Sequence, residues 1–587
     1  MQKKPSPLFA LVVGAMLFSS AGAESAAAKL PSRSEIPAES KWNLSDIYSS
    51  DEAWENEFER LKNLGAQIAA YQNKLDQSPQ LLLECLRARD EIGIASGKLF
   101  AYARMHRDEN TADSKYQAMT SRAETLLASV GAATAFIEPN ILAMPVEKLT
   151  EFRQAEAGLK PYSFYFDNLL RQKQHILSPA EEALLSKISE VGEAPQTIFT
   201  MLARADIKFP DVKDDQGRQV QLSEGRYRNF VMSADRSVRQ EAFQKLFGTY
   251  AQYRNTMAAT LGGSVKKNMF YAQARKYDSA IAGALEPDNV PVSVYNNLVD
   301  TVNENLAPLH RYVGLKKKAL KLDEMHMYDL YVPLVRDVHI TMNYDEARGL
   351  IKKGLSPLGE EYGTILDKAL SSRWVDVYET QGKQSGAYSW GVFGAHPFIL
   401  MNYNNRLEDA MTLAHELGHS LHSYYSNSTQ PYATHDYTIF SAEVASTTNE
   451  TLLLDHLLKT TSDRKKKMYL LNEYLESVRT TVFRQAMFSE FERDLYARAE
   501  AGEAITADML DDMWHKLNIK YYGPQMVVDK EIVGEWSRIP HFYYNFYVYQ
   551  YVTGFSAANA LASQILAEGD PARDRYLDFL KSGGSDY

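Results

Sequence analysis

Amphipathic helical periodicity extends over most of this 587-residue sequence and restricts it to a mainly α-helical fold. Long runs such as DEAWENEFERLKNLGAQIAAYQNKL dominate residues 51–205. The same pattern resumes over residues 237–370 and again from Leu407 to the end. A chain of this length can bury a large core, so we predict an extensive helical body.

Two stretches depart from the helical period. The segment FPDVKDDQGRQVQLSEG predicts a small hairpin near residues 207–222 and a boundary between a helical N-terminal domain, 45–206, and a C-terminal domain, 207–587. Residues 373–403 are rich in glycine, aromatic and β-branched residues, which predicts two or three strands. We expect a small antiparallel sheet beside the following helix, where an edge strand can bind a peptide.

The amino-terminal segment has the pattern of a secretory signal peptide. A basic start is followed by an apolar run from Leu8 to Phe18 and an A-x-A site that ends at Ala23. We predict a signal peptide over residues 1–23 and a linker over residues 24–44. The apolar run is short for a membrane span, and we expect no other spanning segment.

Charge and cysteine content exclude further classes. Lys and Arg total 64 against 75 Asp and Glu, a formal charge of −11, so we expect no nucleic-acid partner. Cys85 is the single cysteine, so no intramolecular disulfide can form. We predict that Cys85 is buried on a helix and that packing alone stabilises the fold.

The segment MTLAHELGHSLH contains the pattern HExxH within a helical stretch. His415 and His419 lie four residues apart, so both imidazoles face one side of a helix, about 5–6 Å apart at Cβ. That spacing predicts a shared zinc ion, and Glu416 is placed to act as general base towards a zinc-bound water.

A catalytic zinc ion takes three protein ligands, so a third residue is required. His422 lies about 10.5 Å along the helix from His415 and cannot converge on the same metal, so we interpret it as a packing residue or a residue behind the ligands. Glu443 is the best candidate. Glu450 shares its helix face, so either carboxylate can ligate while the other orients an imidazole N–H. His435, in a loop containing proline, is a weaker alternative.

Tyrosines are crowded in the segment RIPHFYYNFYVYQY. On a helix, His541, Tyr544, Tyr547 and Tyr551 would fall on one face and could donate hydrogen bonds to a developing oxyanion. An aromatic core stripe is the structural alternative.

These motifs together resemble those of oligoendopeptidase F, within the thimet oligopeptidase-type zinc metallopeptidases. The resemblance rests on SGAYSWG, HPFILMNY, HELGHSLH, FSAEVASTTNE and RIPHFYYNFYVYQYVTG, with a looser likeness from KWNLSDIY onwards. It implies an ellipsoidal helical body with a deep central channel, one zinc ion, and cleavage of internal bonds in short unfolded oligopeptides.

The resemblance also implies individual roles. The zinc ligands would be His415, His419 and Glu443. Glu416 would deprotonate the zinc-bound water that attacks the scissile carbonyl. Substrate binding and stabilisation of the tetrahedral intermediate would fall to His541, Tyr544 and Tyr551. The substrate would lie along the strand from Gly386 to Trp390, on Gly386, Ala387 and Tyr388.

Two departures from the family pattern affect the predictions. Its members are usually described as cytoplasmic, whereas the signal peptide predicts export to the periplasm or the medium. The sequence stops at SGGSDY, where relatives usually continue, so the question whether the catalytic domain is truncated at its C-terminus stays open.

Two functional alternatives remain. One is an exopeptidase or peptidyl-dipeptidase on the same scaffold, and the other is a peptide-binding protein without activity. The sequence leaves the oligomeric state open.

Overall fold

The computed structural model describes residues 30–336 and 338–586 and is mainly α-helical, as predicted. The predicted signal peptide, residues 1–23, and the beginning of the predicted linker lie outside the described residues. The helices of the first third are α1 (Asp51–Gln67), α2 (Pro79–Glu109), α3 (Ser114–Thr134), α4 (Ile137–Ala143), α5 (Val146–Ala155), α6 (Ser163–Arg171) and α7 (Pro179–Met201).

The remaining helices and the strands follow in chain order. The helices are α8 (Glu224–Val231), α9 (Arg236–Ala251), α10 (Arg254–Ala274), α11 (Ala280–Leu285), α12 (Val292–Glu304), α13 (Ala307–Ala319), α14 (Tyr344–Gly354), α15 (Gly359–Ser371), α16 (Leu407–Thr429), α17 (Ile439–Thr460), α18 (Arg464–Ser477), α19 (Arg484–Glu500), α20 (Ala507–Tyr522), α21 (Tyr549–Glu568) and α22 (Asp570–Ser582). The strands are β1 (Asp211–Lys213), β2 (Gln219–Gln221), β3 (Met325–His326), β4 (Val375–Tyr378), β5 (Tyr388–Trp390), β6 (Phe398–Tyr403) and β7 (Met526–Val527).

Strands β1 and β2 form the antiparallel hairpin predicted near residues 207–222. Its turn depends on Asp214, whose carboxylate accepts hydrogen bonds from the backbone N–H groups of Gln216 and Arg218. The side chain of Val212 is buried in the same hydrophobic core as Phe243 and Leu246 of α9.

Three hydrophobic cores organise the described residues. The first gathers α1 to α6, and it includes Cys85, which is buried as predicted. The second joins α8 to α13 with α19, α20 and the tyrosine-rich segment, and Phe199 of α7 belongs to it. The third surrounds α16 and α17. The predicted division between residues 206 and 207 stays a prediction.

The sheet beside α16 is mixed, so the prediction of an antiparallel sheet is wrong for one of its two pairings. The order is β4-β6-β5, in which β5 pairs antiparallel with β6 and β4 pairs parallel with it. In β6, Phe398 and Leu400 enter the first core, whereas Ile399 and Met401 enter the third. A strand buried on both faces favours a parallel neighbour, and the sequence FILMNY reads accordingly as an uninterrupted apolar run.

One described helical stretch, Ser114–Ala143, is long and apolar enough to cross a membrane by length and composition, although no spanning segment was expected after the amino-terminal one. Only 28% of its most apolar window is buried, although Met119 and Leu126 enter the first core. Arg122 on this stretch forms an ion pair with Glu55 of α1. Core helices pass the same test, so this observation alone assigns no membrane role.

Candidate metal and catalytic site

The site is built where α16 and α17 cross. Gly418 lies at the crossing, and a Cβ on it would come within 2.5 Å of the Ser446 Cα. The two helices can approach this closely only because position 418 has no side chain. Asn449 of α17 secures the crossing, since its amide donates to the Ala414 carbonyl at 3.0 Å and accepts from the Tyr362 hydroxyl at 2.8 Å.

The crossing brings together the three predicted zinc ligands, His415, His419 and Glu443. The two Nε2 atoms lie 3.2 Å apart. Glu443 Oε2 lies 3.5 Å from Nε2 of His415 and 3.6 Å from Nε2 of His419. Tetrahedral zinc with bonds of about 2.0–2.1 Å separates its ligand atoms by roughly 3.3 Å, so this triangle has the size of one face of such a site. Ser446 Oγ donates to Glu443 Oε2 at 2.9 Å and orients it.

Glu450 lies behind the first imidazole. His415 Nδ1 donates to Glu450 Oε1 at 2.8 Å, which leaves Nε2 directed towards Glu443. Burial acts to lower the pKa of His415, but the carboxylates of Glu450 and Glu443 outweigh it and raise the pKa to about 10. Burial lowers the pKa of His419 to about 4, so its imidazole is neutral and can bind a metal. The carboxylates of Glu450 and Glu443 therefore favour a positive charge beside His415.

Glu416 is buried on the same helix turn, with 3% of its surface exposed. Burial is the main reason that the pKa of its carboxyl rises to about 7, and the nearby charges of Glu443 and Glu450 add to the effect. The charge of His415 and, to a smaller extent, a backbone hydrogen bond from Ser389 of β5 act in the opposite direction. A carboxyl with a pKa near neutrality is well matched to general base chemistry.

The other two histidines of this region lie outside the triangle. His422 is buried and stacks on Tyr437 with ring centroids 3.7 Å apart, so it is a packing residue, one of the two roles predicted for it. His435 directs Nδ1 to the Tyr432 carbonyl at 2.7 Å and stacks on the Tyr432 ring. The triangle formed by the described residues therefore contains Glu443 rather than either histidine.

The predicted substrate strand is shorter than residues 386–390, because β5 begins at Tyr388. β5 is an edge strand, paired on one side with β6 and packed beside α16. Gly386 precedes it in the left-handed region, with φ +88°, and its carbonyl accepts a hydrogen bond from Asn402 Nδ2 at 2.7 Å. The Tyr388 side chain points away into the first core, where its hydroxyl donates to Asp108 at 3.1 Å. Only backbone groups of Tyr388 can therefore contact a peptide. Ala387, the third predicted substrate residue, lies between Gly386 and Tyr388.

The predicted continuous helix through residues 541–551 is wrong. A short 3-10 turn covers Pro540–Tyr543, and α21 begins only at Tyr549. Asn545 and Phe546 between them adopt positive φ values of 53° and 59°. The irregular backbone arises because the Phe546 ring is buried and the backbone N–H of Phe546 donates to the carboxyl of buried Glu492 at 2.7 Å.

The four aromatic rings predicted to share a helix face nevertheless form one cluster. The His541 ring lies 5.8 Å from that of Tyr544, 6.5 Å from Tyr547 and 6.2 Å from Tyr551, measured between centroids. Burial, followed by the charge of Arg484, lowers the pKa of His541. Tyr544 is the most exposed of the three tyrosines, at 37%.

Helix α21, which contains Tyr551 of this cluster, packs against α17 beside the metal triangle. A Cβ on Gly554 would lie 3.4 Å from Cβ of Glu443, so the two helices are in contact there. Burial, hydrogen bonding with Tyr551 and the charge of Glu443 set the pKa of Tyr547 at about 12, and Tyr551 is raised further. Tyr547 therefore belongs with the candidate site. Its spacing predicted a place on the same face as His541, whereas the family resemblance implied no role for it.

Comparison with known proteins agrees with this geometry. Residues 230–587 match the model of peptidase family M3, and residues 140–209 match that of oligopeptidase F. Oligopeptidase PepF of Bacillus subtilis (strain 168) is 50% identical over 564 residues, which cover 96% of this chain and 84% of that protein. An oligoendopeptidase F homolog of Lactococcus lactis is 40% identical over 94% of this chain and 92% of its own.

Solved structures show the same relationship. The crystal structure of oligoendopeptidase-F from Enterococcus faecium superposes with a TM-score of 0.70 at 37% identity, over 92% of both chains. A chain from Chlamydophila abortus superposes with a TM-score of 0.89 at 35% identity, over 95% of this chain and 94% of that one. The predicted resemblance is confirmed: the chain belongs to peptidase family M3 and is a metalloendopeptidase of the oligoendopeptidase F type.

Proposed function

We propose that this chain is an exported zinc-dependent endopeptidase that hydrolyses internal bonds of short oligopeptides, with Glu416 as general base. One observation carries the proposal. The triangle of His415, His419 and Glu443 lies next to Glu416, and the backbone of edge strand β5 reaches that same carboxyl. Metal ligands, a base and a peptide-binding edge thus meet at one place.

The residues present suit zinc. Two imidazoles and one carboxylate are the donor set of several catalytic zinc sites, which keep a fourth position open. The spacing of the three ligand atoms, 3.2 to 3.6 Å, agrees with tetrahedral coordination. When bound there, zinc would polarise the scissile carbonyl and make a water molecule more acidic.

The chain's own groups would carry the proton and position the ligands. Glu416 would take a proton from the attacking water and pass it to the leaving amine, which its pKa near 7 permits in both directions. Glu450 would hold His415 through Nδ1 and fix its tautomer. Ser446 would hold Glu443 in the same manner.

The peptide would extend along the free edge of β5. Backbone pairing with an edge strand recognises an extended chain largely independently of its side chains. The hydroxyls of Tyr547 and Tyr551 hydrogen-bond to each other, and one of them would turn to donate to the developing oxyanion when a peptide binds. The raised pKa values of both tyrosines keep these hydroxyls protonated.

Substrate class and location rest on separate support. The names of the relatives, oligopeptidase PepF and oligoendopeptidase F, support oligopeptide substrates. The signal-peptide pattern that ends at Ala23 supports export. The formal charge of −11 argues against a nucleic-acid substrate.

A peptide blocked at both ends tests the proposal directly. Internal cleavage products identified by mass, abolished by a chelator and restored by zinc, are the expected result. An enzyme that acts only on peptides with a free terminus would contradict endopeptidase activity, and activity that survives complete metal removal would contradict the metal mechanism. Amino-terminal sequencing of protein from the periplasm or the medium should begin at Glu24 if the chain is exported.

A further inference from the structure

We propose that Arg33, in the predicted linker before α1, is a positioning residue for the substrate strand. Arg33 would position this strand by holding the loop of residues 379–385, which leads from β4 to Gly386. The inference rests on the proposed function, in which a peptide pairs with the edge of β5. It assigns a role in substrate binding to a segment far from the metal triangle in sequence.

Arg33 connects two acidic residues from different parts of the fold. Its Nη2 atom lies 2.6 Å from Glu109 Oε1 at the end of α2 and 2.7 Å from Asp376 Oδ2 on β4. Asp376 is almost completely buried and also pairs with Lys383 of the loop, at 2.7 Å. Positive and negative groups therefore alternate from the amino-terminal segment to the loop. Removal of Arg33 would leave the buried Asp376 carboxylate with Lys383 as its remaining ion-pair partner of these two.

The loop is bound to the same segment by further hydrogen bonds. The buried Lys383 ammonium donates to the Tyr378 carbonyl at 2.7 Å. The Gln381 backbone N–H donates to the Pro31 carbonyl at 3.0 Å, and its side-chain amide donates to the Leu30 carbonyl at 2.6 Å. Residues 30–33 thus fix one end of the loop through both charge and backbone contacts.

The other end of the loop is continuous with the substrate strand. The Gln384 N–H donates to the Asp108 carbonyl at 2.9 Å, next to the Glu109 that binds Arg33. Asn402 Nδ2 on β6 donates to the carbonyls of Gln384 and Gly386, at 3.0 and 2.7 Å. A shift of Lys383 would therefore reach Gly386 within three residues and move the edge that the peptide would use.

Arg33→Met tests the proposal, because it keeps the aliphatic stem and removes the charge. Strand pairing holds the peptide equally in the ground and transition states, so its loss raises KM and leaves kcat unchanged. We expect KM for a peptide spanning the site to rise about 5- to 30-fold, the equivalent of 1–2 kcal/mol, with kcat within about twofold. Zinc content should not change, and Arg33→Lys should restore part of the affinity.

Arg153→Met is a matched control. Arg153 forms an ion pair with Asp167 at 2.7 Å and its side chain is 26% exposed, against 22% for Arg33. Its partners, the Asp167 carboxylate and the Phe166 ring, both lie on α6, outside the loop of residues 379–385. Hydrogen exchange of residues 379–390 should accelerate in Arg33→Met and stay at the wild-type rate in Arg153→Met.

Equal KM values and equal loop exchange in the two variants would overturn the proposal. A fall in kcat at constant KM would overturn it as well, because the effect would then lie at the chemical step. Failure of the proposed function appears differently, as a wild-type protein that cleaves no blocked peptide. In that case the exchange of residues 379–390 still decides whether Arg33 holds the loop.

Discussion

His415 donates through Nδ1 to Glu450 at 2.8 Å while its Nε2 atom faces Glu443 at 3.5 Å, so two carboxylates of one helix hold opposite edges of a single imidazole. Glu443 and Glu450 are seven positions apart, about two helical turns of α17, and their side chains approach the imidazole from its two nitrogen atoms. The arrangement assigns different consequences to the loss of each carboxylate.

Glu450→Ala should weaken zinc affinity about 10- to 100-fold, because partners behind a ligating histidine typically contribute that much. Glu443→Ala, which removes a ligand atom, should abolish stoichiometric zinc. Zinc content after dialysis and competition with a chelator measure both effects. The ligand assignment would be wrong if Glu443→Ala kept full zinc content while Glu450→Ala lost it.

Glu416→Gln should retain zinc and lose turnover by about 10²- to 10⁴-fold, the usual contribution of a positioned general base. The substitution preserves the shape of the side chain and removes its ability to accept a proton. Single-turnover cleavage of a blocked peptide, together with metal analysis of the same sample, is the measurement. Undiminished cleavage would exclude Glu416 as the base.

Gly418→Ala should destabilise the fold by at least about 1–3 kcal/mol, because the new methyl group would overlap backbone atoms of Ser446 and Ala445. The matched control is Gly349→Ala in α14, where a Cβ meets open space. That change should stabilise the protein by up to about 1 kcal/mol through helix propensity. Thermal unfolding of both variants should therefore shift in opposite directions, and a Gly418→Ala variant as stable as the wild type would contradict the close crossing.

Tyr551→Phe should lower kcat about 10²-fold without loss of zinc, as expected when one donor to an oxyanion is removed. Tyr543→Phe is the control, because its hydroxyl faces Thr260 at 2.8 Å, away from the metal triangle. Steady-state kinetics of both variants separate the roles. Equal activity of Tyr551→Phe and Tyr543→Phe would remove Tyr551 from the mechanism.

Glu492→Gln should stabilise the protein more at pH 8 than at pH 5. Burial raises the pKa of Glu492 from 4.5 to about 8, so the native state keeps a proton that the unfolded chain releases. Wild-type stability therefore falls as pH rises from 4.5 to about 8, by at most about 1.4 kcal/mol per pH unit. Urea unfolding at both pH values measures this, with exposed Glu52→Gln as a control for the change of formal charge. Parallel pH profiles of wild type and Glu492→Gln would contradict the buried neutral carboxyl.

Helical class and the first two ligands followed from the sequence because both depend on local periodicity. The spacing of His415 and His419 places them on one face of any helix, whatever surrounds it. The hairpin at residues 211–221 was also predictable, since its turn is stabilised by Asp214 within the same loop.

Only the tertiary structure decided which residues complete the site. From the sequence, Glu443, Glu450 and His435 were all open as the third ligand, and the helix crossing at Gly418 brought Glu443 into the triangle. The parallel pairing of β4 and β6 reflects burial between two cores, which no local pattern specifies. The tyrosine cluster forms across a broken helix because Glu492, 54 residues earlier, captures the Phe546 N–H. Each outcome depends on contacts between residues distant in sequence, and helical or strand periodicity carries no information about them.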